Sequence, residues 1–212
     1  MVSSDGRPPG DCDMYSSRFQ LMLSCITILL LPPYLLADPS ILEQCAECHD
    51  ADGMGGDEPM VPVIAGIPAG HIEEAIYAYV DGARSCVRKP RMCETAATLS
   101  ESEVSEIAKH FADKERGPSL EAFDRNLAAE GAVLHEKHCS KCHWPPHSDG
   151  VEDAIGIPLH GQKREYLRFA LEAYYSGDRE SLVQTMADAI AELRPGELGA
   201  LVNYYSSYRS PD

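Results

Sequence analysis

Positive charge is scarce in this sequence of 212 residues: 18 Lys and Arg stand against 34 Asp and Glu, a formal net charge of −16. A surface so acidic does not suit a phosphate backbone, which argues against nucleic-acid binding. It suits a basic protein partner, a salt-rich habitat or plain solubility. Aromatic residues are few, at 7% with a single Trp. No β-hairpin signal stands out, and the periodic segments are helical, so the fold class read here is all-α. A membrane-length apolar run is also lacking: the stretch from Leu21 to Leu31 is 11 residues, against about 20 for a bilayer span. Disorder is excluded by the 44% hydrophobic content and the regular helical patterns.

That short apolar stretch has a different meaning. Arg18 precedes it, residues 19–36 read FQLMLSCITILLLPPYLL, and Ala37 follows. This is the layout of an export signal, assigned to 1–37 with cleavage after Ala37. A retained anchor is the alternative, and Pro32 and Pro33 weaken it. Residues 1–13 are polar and acidic, which places the true translation start at Met14. Export implies the periplasm, an oxidising compartment, and leaves six cysteines: 45, 48, 86, 93, 139 and 142. The mature chain has no stable membrane span.

The mature chain repeats itself. Cys45-Ala-Glu-Cys48-His49 returns as Cys139-Ser-Lys-Cys142-His143, offset by 94. Met92 and Met186, and Leu99 and Leu193, keep that offset; Gly66 and Gly161, and Gly82 and Gly177, are 95 apart. A one-residue slip belongs in a loop, so the pattern is a duplicated domain. Ile72, Ala75, Ile76, Tyr79 and Val80 form an apolar helical stripe, matched by Leu167, Ala170, Leu171, Tyr174 and Tyr175. Val104, Ile107, Ala108 and Phe111 are matched by Leu198, Leu201, Val202 and Tyr205. Ser100 and Glu103 form a capping box. Phe123 to His138 reads as a helix ahead of the second Cys pair; ahead of the first, only 38–44 is available, so that helix is short. The organisation is a first domain over 38–112, a linker over 113–120 and a second domain over 121–212.

C-x-x-C-H is the attachment pattern of covalent haem c. Two thiols on one turn reach the two porphyrin vinyl groups, and the adjacent His sits below the iron. The alternatives are a zinc site, a thioredoxin-type pair or chance. Zinc knuckles place their pairs about 12–20 residues apart, and a thioredoxin motif needs a βαβ context. The repeat points to two covalently bound haems c, on Cys45 and Cys48 and on Cys139 and Cys142, with His49 and His143 as axial ligands. Met92 lies 43 residues after His49 and Met186 lies 43 after His143, which nominates both as the opposite axial ligands; the alternative is core filling. Met54 and Met60 have no counterparts and read as loop or packing residues.

Several other residues are weaker candidates. His71, His110, His135, His138, His147 and His160 lack a repeat partner of their own type and read as surface or core histidines. His138 and His147 flank the second motif and are candidates for the edge of its haem. The carbonyls of Pro62 and Pro158 are candidate acceptors for the axial His N–H groups, with ordinary turn prolines as the equal alternative. Cys86 and Cys93 bracket the loop carrying Met92 and read as a disulfide, with two free thiols or a bound metal as the other reading. Arg84, Arg88, Lys89 and Arg91 are the one dense basic cluster. It serves haem propionates, a partner or solvent alone.

These residues resemble the dihaem class I cytochromes c of the cytochrome c4 type over nearly all of 38–212. The stretch from Phe123 to His143, with Gly161-Gln-Lys-Arg-Glu-Tyr-Leu and Met186-Ala-Asp-Ala-Ile-Ala-Glu-Leu193, most resembles the dihaem subunit of flavocytochrome c sulfide dehydrogenase. The resemblance implies two tandem class I cytochrome c domains that do no bond chemistry of their own. It implies a heterodimer with a flavoprotein subunit carrying FAD, and a downstream acceptor such as a small cytochrome or an oxidase. A free cytochrome c4-like carrier feeding a terminal oxidase is the alternative. A dihaem peroxidase or gas sensor is a third, which a Met ligand in each half opposes.

Overall fold

The two CxxCH segments set the frame of the molecule, because each is followed by the same succession of helices. The computed structural model describes residues 40–209; the export signal and the start at Met14 lie outside the described residues. The first half contains α1 (Ile41–His49), α2 (Ala69–Val80), α3 (Pro90–Ala96) and α4 (Glu101–Ala112). The second contains α5 (Arg125–His138), a short 3-10 turn at Val151–Asp153, α6 (Arg164–Ser176), α7 (Gln184–Glu192) and α8 (Glu197–Ser206). Among the described residues there is no β-strand, only an isolated antiparallel bridge between Arg84 and Arg179.

The helices begin where side chains satisfy their free N–H groups. Ser40 and Glu43 make a reciprocal capping box on α1, and Ser100 and Glu103 do the same on α4. The Asp124 carboxylate accepts from Asn126 N at 2.8 Å and Leu127 N at 3.0 Å, so α5 starts at Arg125, two residues later than the sequence pattern alone indicates. Gly66, Gly82, Gly161 and Gly177 all have φ between +65° and +80°, the left-handed region that only glycine enters freely. That requirement explains why these four recur in register.

In each half the penultimate long helix packs on the last one, α2 on α4 and α6 on α8, and the helix carrying or preceding the Cys pair crosses the same last helix. Val104, Ile107, Ala108 and Phe111 of α4 are buried, as are Leu201, Val202 and Tyr205 of α8. In the α2 and α6 stripes Ile72, Ile76, Leu167, Ala170 and Leu171 are buried, Ala75, Tyr79 and Tyr174 are half-buried, and Val80 and Tyr175, in the last turns, are exposed. Gly66 N donates to Phe111 O at 3.0 Å and Gly161 N to Tyr205 O at 2.9 Å, tying equivalent loops to equivalent helices.

The described residues belong to one compact unit, in which the halves meet through backbone groups. The Gln162 amide accepts from Val63 N and donates to Val63 O, both at 2.8 Å. Arg116, from the linker, is 1% exposed. Its Nε donates to His160 O at 2.9 Å and its Nη1 to Ala65 O at 3.3 Å, two carbonyls at matching places in the repeat. Lys163 Nζ donates to the carbonyls of Gly56 at 2.7 Å and Glu58 at 2.8 Å and to that of Gly55.

Candidate haem sites

Each CxxCH segment is placed by its helix. In the first half the motif is the last turn of α1; in the second it follows α5, yet His143 N still donates to Cys139 O at 2.9 Å, so the turn is helical in kind. One cavity of about 900 Å³ runs along both halves, at the upper end of the roughly 300–1,000 Å³ of small-molecule sites. Cys45, Cys48, His49 and Met92 line it from the first half, and Cys139, Cys142, His143 and Met186 from the second. All four motif cysteines are free thiols. Burial raises the pKa of Cys45, with Cys48 adding to it, and burial likewise raises Cys139.

The imidazoles are held by one hydrogen bond each. His49 Nδ1–H donates to Pro62 O at 3.2 Å, and His143 Nδ1–H donates to Ile157 O at 2.8 Å. A carbonyl only accepts, so the proton sits on Nδ1 and Nε2 keeps its lone pair for a metal. Burial lowers the pKa of both rings, which keeps them neutral as ligation requires. The Pro62 expectation therefore holds, and the Pro158 expectation is corrected to the residue before it. The repeat is offset by 95 here, so Pro62 corresponds to Ile157. Gly156 was missed in the sequence: a Cβ there would stand 2.6 Å from His143 Nδ1, so only glycine leaves room for the ring.

Met92 and Met186 are each the third residue of a short helix, α3 and α7. A disulfide joins Cys86 to Cys93 with Cα atoms 5.8 Å apart, closing the loop that enters α3. Met60 also lines the cavity, on the chain leading to Pro62 and hence to His49. Among the described residues no three His, Cys, Asp or Glu side chains gather as a metal site, so the two Cys pairs do not converge as a zinc knuckle would. The donor set fits haem c: paired thiols, a neutral imidazole and a thioether around a cavity, twice.

The other histidines divide clearly. His138 lines the cavity and lies 3.2 Å from Glu192. His147 is not on the cavity wall and contacts Arg116 O at 3.3 Å. His135 and His160 belong to a buried aromatic cluster, bonding Tyr205 OH at 3.0 Å and Tyr204 OH at 3.2 Å. Burial, then His135 and Arg116, push the His160 pKa down to about 3. His71, read as a surface or core residue, lines the cavity and reaches across to Ala154 O at 3.1 Å. Of the basic cluster, Arg88 lies 4.9 Å from the Phe169 ring and Arg91 lies 3.5 Å from Glu47. Lys89 donates to Met60 O at 2.5 Å.

Among curated proteins, the chain is 32% identical over 182 residues to the thiosulfate dehydrogenase electron acceptor of Stutzerimonas stutzeri, covering 81% of each chain. Among solved structures it resembles the thiosulfate dehydrogenase (TsdBA) of Marichromatium purpuratum, at 26% identity and a TM-score of 0.64, over 77% of this chain and 36% of that one. The chain thus spans about a third of that structure's chain. It also shares the fold of reduced cytochrome c4 from Pseudomonas stutzeri, at 21% identity and a TM-score of 0.65, over 78% of this chain and 94% of that one. No family model matches the chain.

Proposed function

The chain belongs to the family of dihaem cytochromes c represented by the thiosulfate dehydrogenase electron acceptor, and from that premise we propose that it takes electrons from a periplasmic thiosulfate dehydrogenase and hands them to a further acceptor. The supporting observation is the 32% identity across 81% of the chain, joined to two complete attachment motifs on one cavity. Haem c supplies one-electron redox chemistry when bound. The residues of this chain supply the rest. Cys45, Cys48, Cys139 and Cys142 fix the porphyrins. Pro62 O and Ile157 O orient the imidazoles of His49 and His143. Met92 and Met186, which line the same cavity, would supply a thioether to each iron, a donor that suits electron transfer. An oxidation that releases two electrons is matched by two such centres.

The resemblance of 123–143 to the haem subunit of flavocytochrome c sulfide dehydrogenase supports a second reading, in which the donor is an FAD-bearing subunit. Gentle purification from the native periplasm, followed by mass spectrometry and addition of each reductant, separates the two. The expected result is a partner that reduces both haems with thiosulfate and carries no flavin. A co-purifying flavoprotein that reduces them only with sulfide would overturn the thiosulfate reading. A chain isolated alone, and reduced by neither system, would leave a free carrier. For the axial ligands, Met92→Ala and Met186→Ala are each expected to remove about half of the weak long-wavelength thioether–iron band of the oxidised protein. An unchanged band in both would refute the assignment.

A further inference from the structure

Among the described residues, four buried side-chain polar atoms have no hydrogen-bond partner, and three of them lie together. These three are Arg116 Nη2, His160 Nδ1 and Tyr208 Oη. Arg116 Nε donates to His160 O at 2.9 Å, and the His160 and Tyr208 ring centroids are 5.8 Å apart. A Cβ on Gly161 would stand 3.4 Å from Tyr208 Cδ1 and 3.7 Å from Arg116 Nε, so these two side chains flank the same point. Ser119 N donates to Tyr208 O at 3.2 Å, which brings the linker against the chain that leaves α8. None of the three residues lines the haem cavity.

Arg116 is 1% exposed, and among the described residues no carboxylate stands within 4.0 Å of its charged nitrogens. Burial lowers its pKa to about 10, which leaves it charged at neutral pH. Its carbonyl partners, His160 O and Ala65 O, supply dipoles and no countercharge. A buried charge with no countercharge is unfavourable. The other two groups add donors. The His160 ring is neutral, with a pKa of about 3, and its Nε2 lies 3.2 Å from the Tyr204 hydroxyl. With Nε2 accepting from that hydroxyl, the proton of the ring sits on Nδ1. Arg116 Nη2, His160 Nδ1 and Tyr208 Oη then present three N–H or O–H groups and no acceptor. A monovalent anion accepts from all three and neutralises the guanidinium. The same Cβ on Gly161 would stand 3.2 Å from Gly117 O. The linker and loop backbones thus close tightly on the cluster, which suits a monatomic anion and not an oxyanion.

We propose that Arg116, His160 and Tyr208 form a buried halide site that takes one chloride. The ion joins the linker, the loop at Gly161 and the chain after α8 into one unit. The first half has Ala65 where His160 stands, so the site belongs to the second half and the linker alone. It rests on neither the haems nor the identity of the electron donor.

The test uses the full chain matured with both haems. Urea unfolding is followed at constant ionic strength while chloride replaces gluconate. Wild type is expected to gain about 1 M in its urea midpoint once chloride stands about a hundredfold above its Kd. Tyr208→Phe keeps the charge and removes one donor. It is expected to raise the chloride concentration that gives half of this gain about tenfold. Arg116→Met is expected to abolish the gain; if that variant does not fold, Tyr208→Phe decides. Crystals grown in bromide are expected to show an anomalous peak within hydrogen-bonding reach of Arg116 Nη2. Equal wild-type midpoints in chloride and gluconate overturn the proposal. So does a gain that Tyr208→Phe leaves unchanged, because chloride then acts elsewhere. An ordered water in place of bromide overturns it as well. A bromide peak without any chloride-dependent midpoint is binding at crystal concentration only, and it too overturns the site.

Discussion

The two halves carry the same recipe and are held together by different means. In the second half α5 is 14 residues long and crosses α8 closely enough that a Cβ on Gly131 would stand 2.1 Å from Ala200 O. In the first half α1 is 9 residues and makes a smaller contact with α4. The first half has instead the Cys86–Cys93 disulfide, and Lys163 of the other half holds its loop at Gly55, Gly56 and Glu58. Helix length lost on one side is offset by a covalent tie and a borrowed cation. The haem frame is thus independent of how the surrounding helices are secured.

That contrast can be broken in graded steps. The largest effect is expected for Gly131→Leu, which forces α5 off α8. A loss of at least about 4 kcal/mol is expected in denaturant unfolding, appearing first in the haem of the second half. Acid comes next. His160 has a pKa of about 3 when folded, below the ordinary value near 6.5, so its unfolded form binds the proton first. Its contribution is present above about pH 6.5 and is lost as pH falls toward 3, amounting to about 3 kcal/mol at pH 4. The first half has Ala65 at the matching position, so His160→Gln is expected to flatten the acid slope for the second haem and leave the first unchanged. Replacing both Cys86 and Cys93 by Ser is expected to cost about 2 kcal/mol, seen as earlier unfolding of the first half alone. Ser40→Ala removes the α1 cap and is expected to cost about 1 kcal/mol, measurable as a lower midpoint for the first haem.

The parts of the fold that repeat were legible because repetition itself is a signal. The CxxCH segments, the apolar stripes of α2, α4, α6 and α8, and the four glycines all announce themselves twice. The seam was not legible. Gln162, Arg116 and Lys163 bond to backbone carbonyls and N–H groups of residues 44 to 108 positions away, and a backbone group leaves no trace in residue identity. His71 and Tyr166 occupy matching places in the repeat with different side chains, so neither draws attention to the other. Ile157 was missed through the one-residue slip, because a proline looked the more distinctive partner than a carbonyl that any residue supplies.

Arg116 has a consequence for how such a molecule arises. One guanidinium, drawn from the connecting segment, bonds the Ala65 and His160 carbonyls, and these are the same atom of the ancestral unit counted twice. Two identical, unfused chains meeting about a twofold axis would each present that arginine, and two such side chains would compete for a pair of acceptors that takes only one. A single central rivet is therefore an innovation open to a fused gene and closed to a homodimer, which gives fusion a structural advantage beyond keeping the two copies near each other.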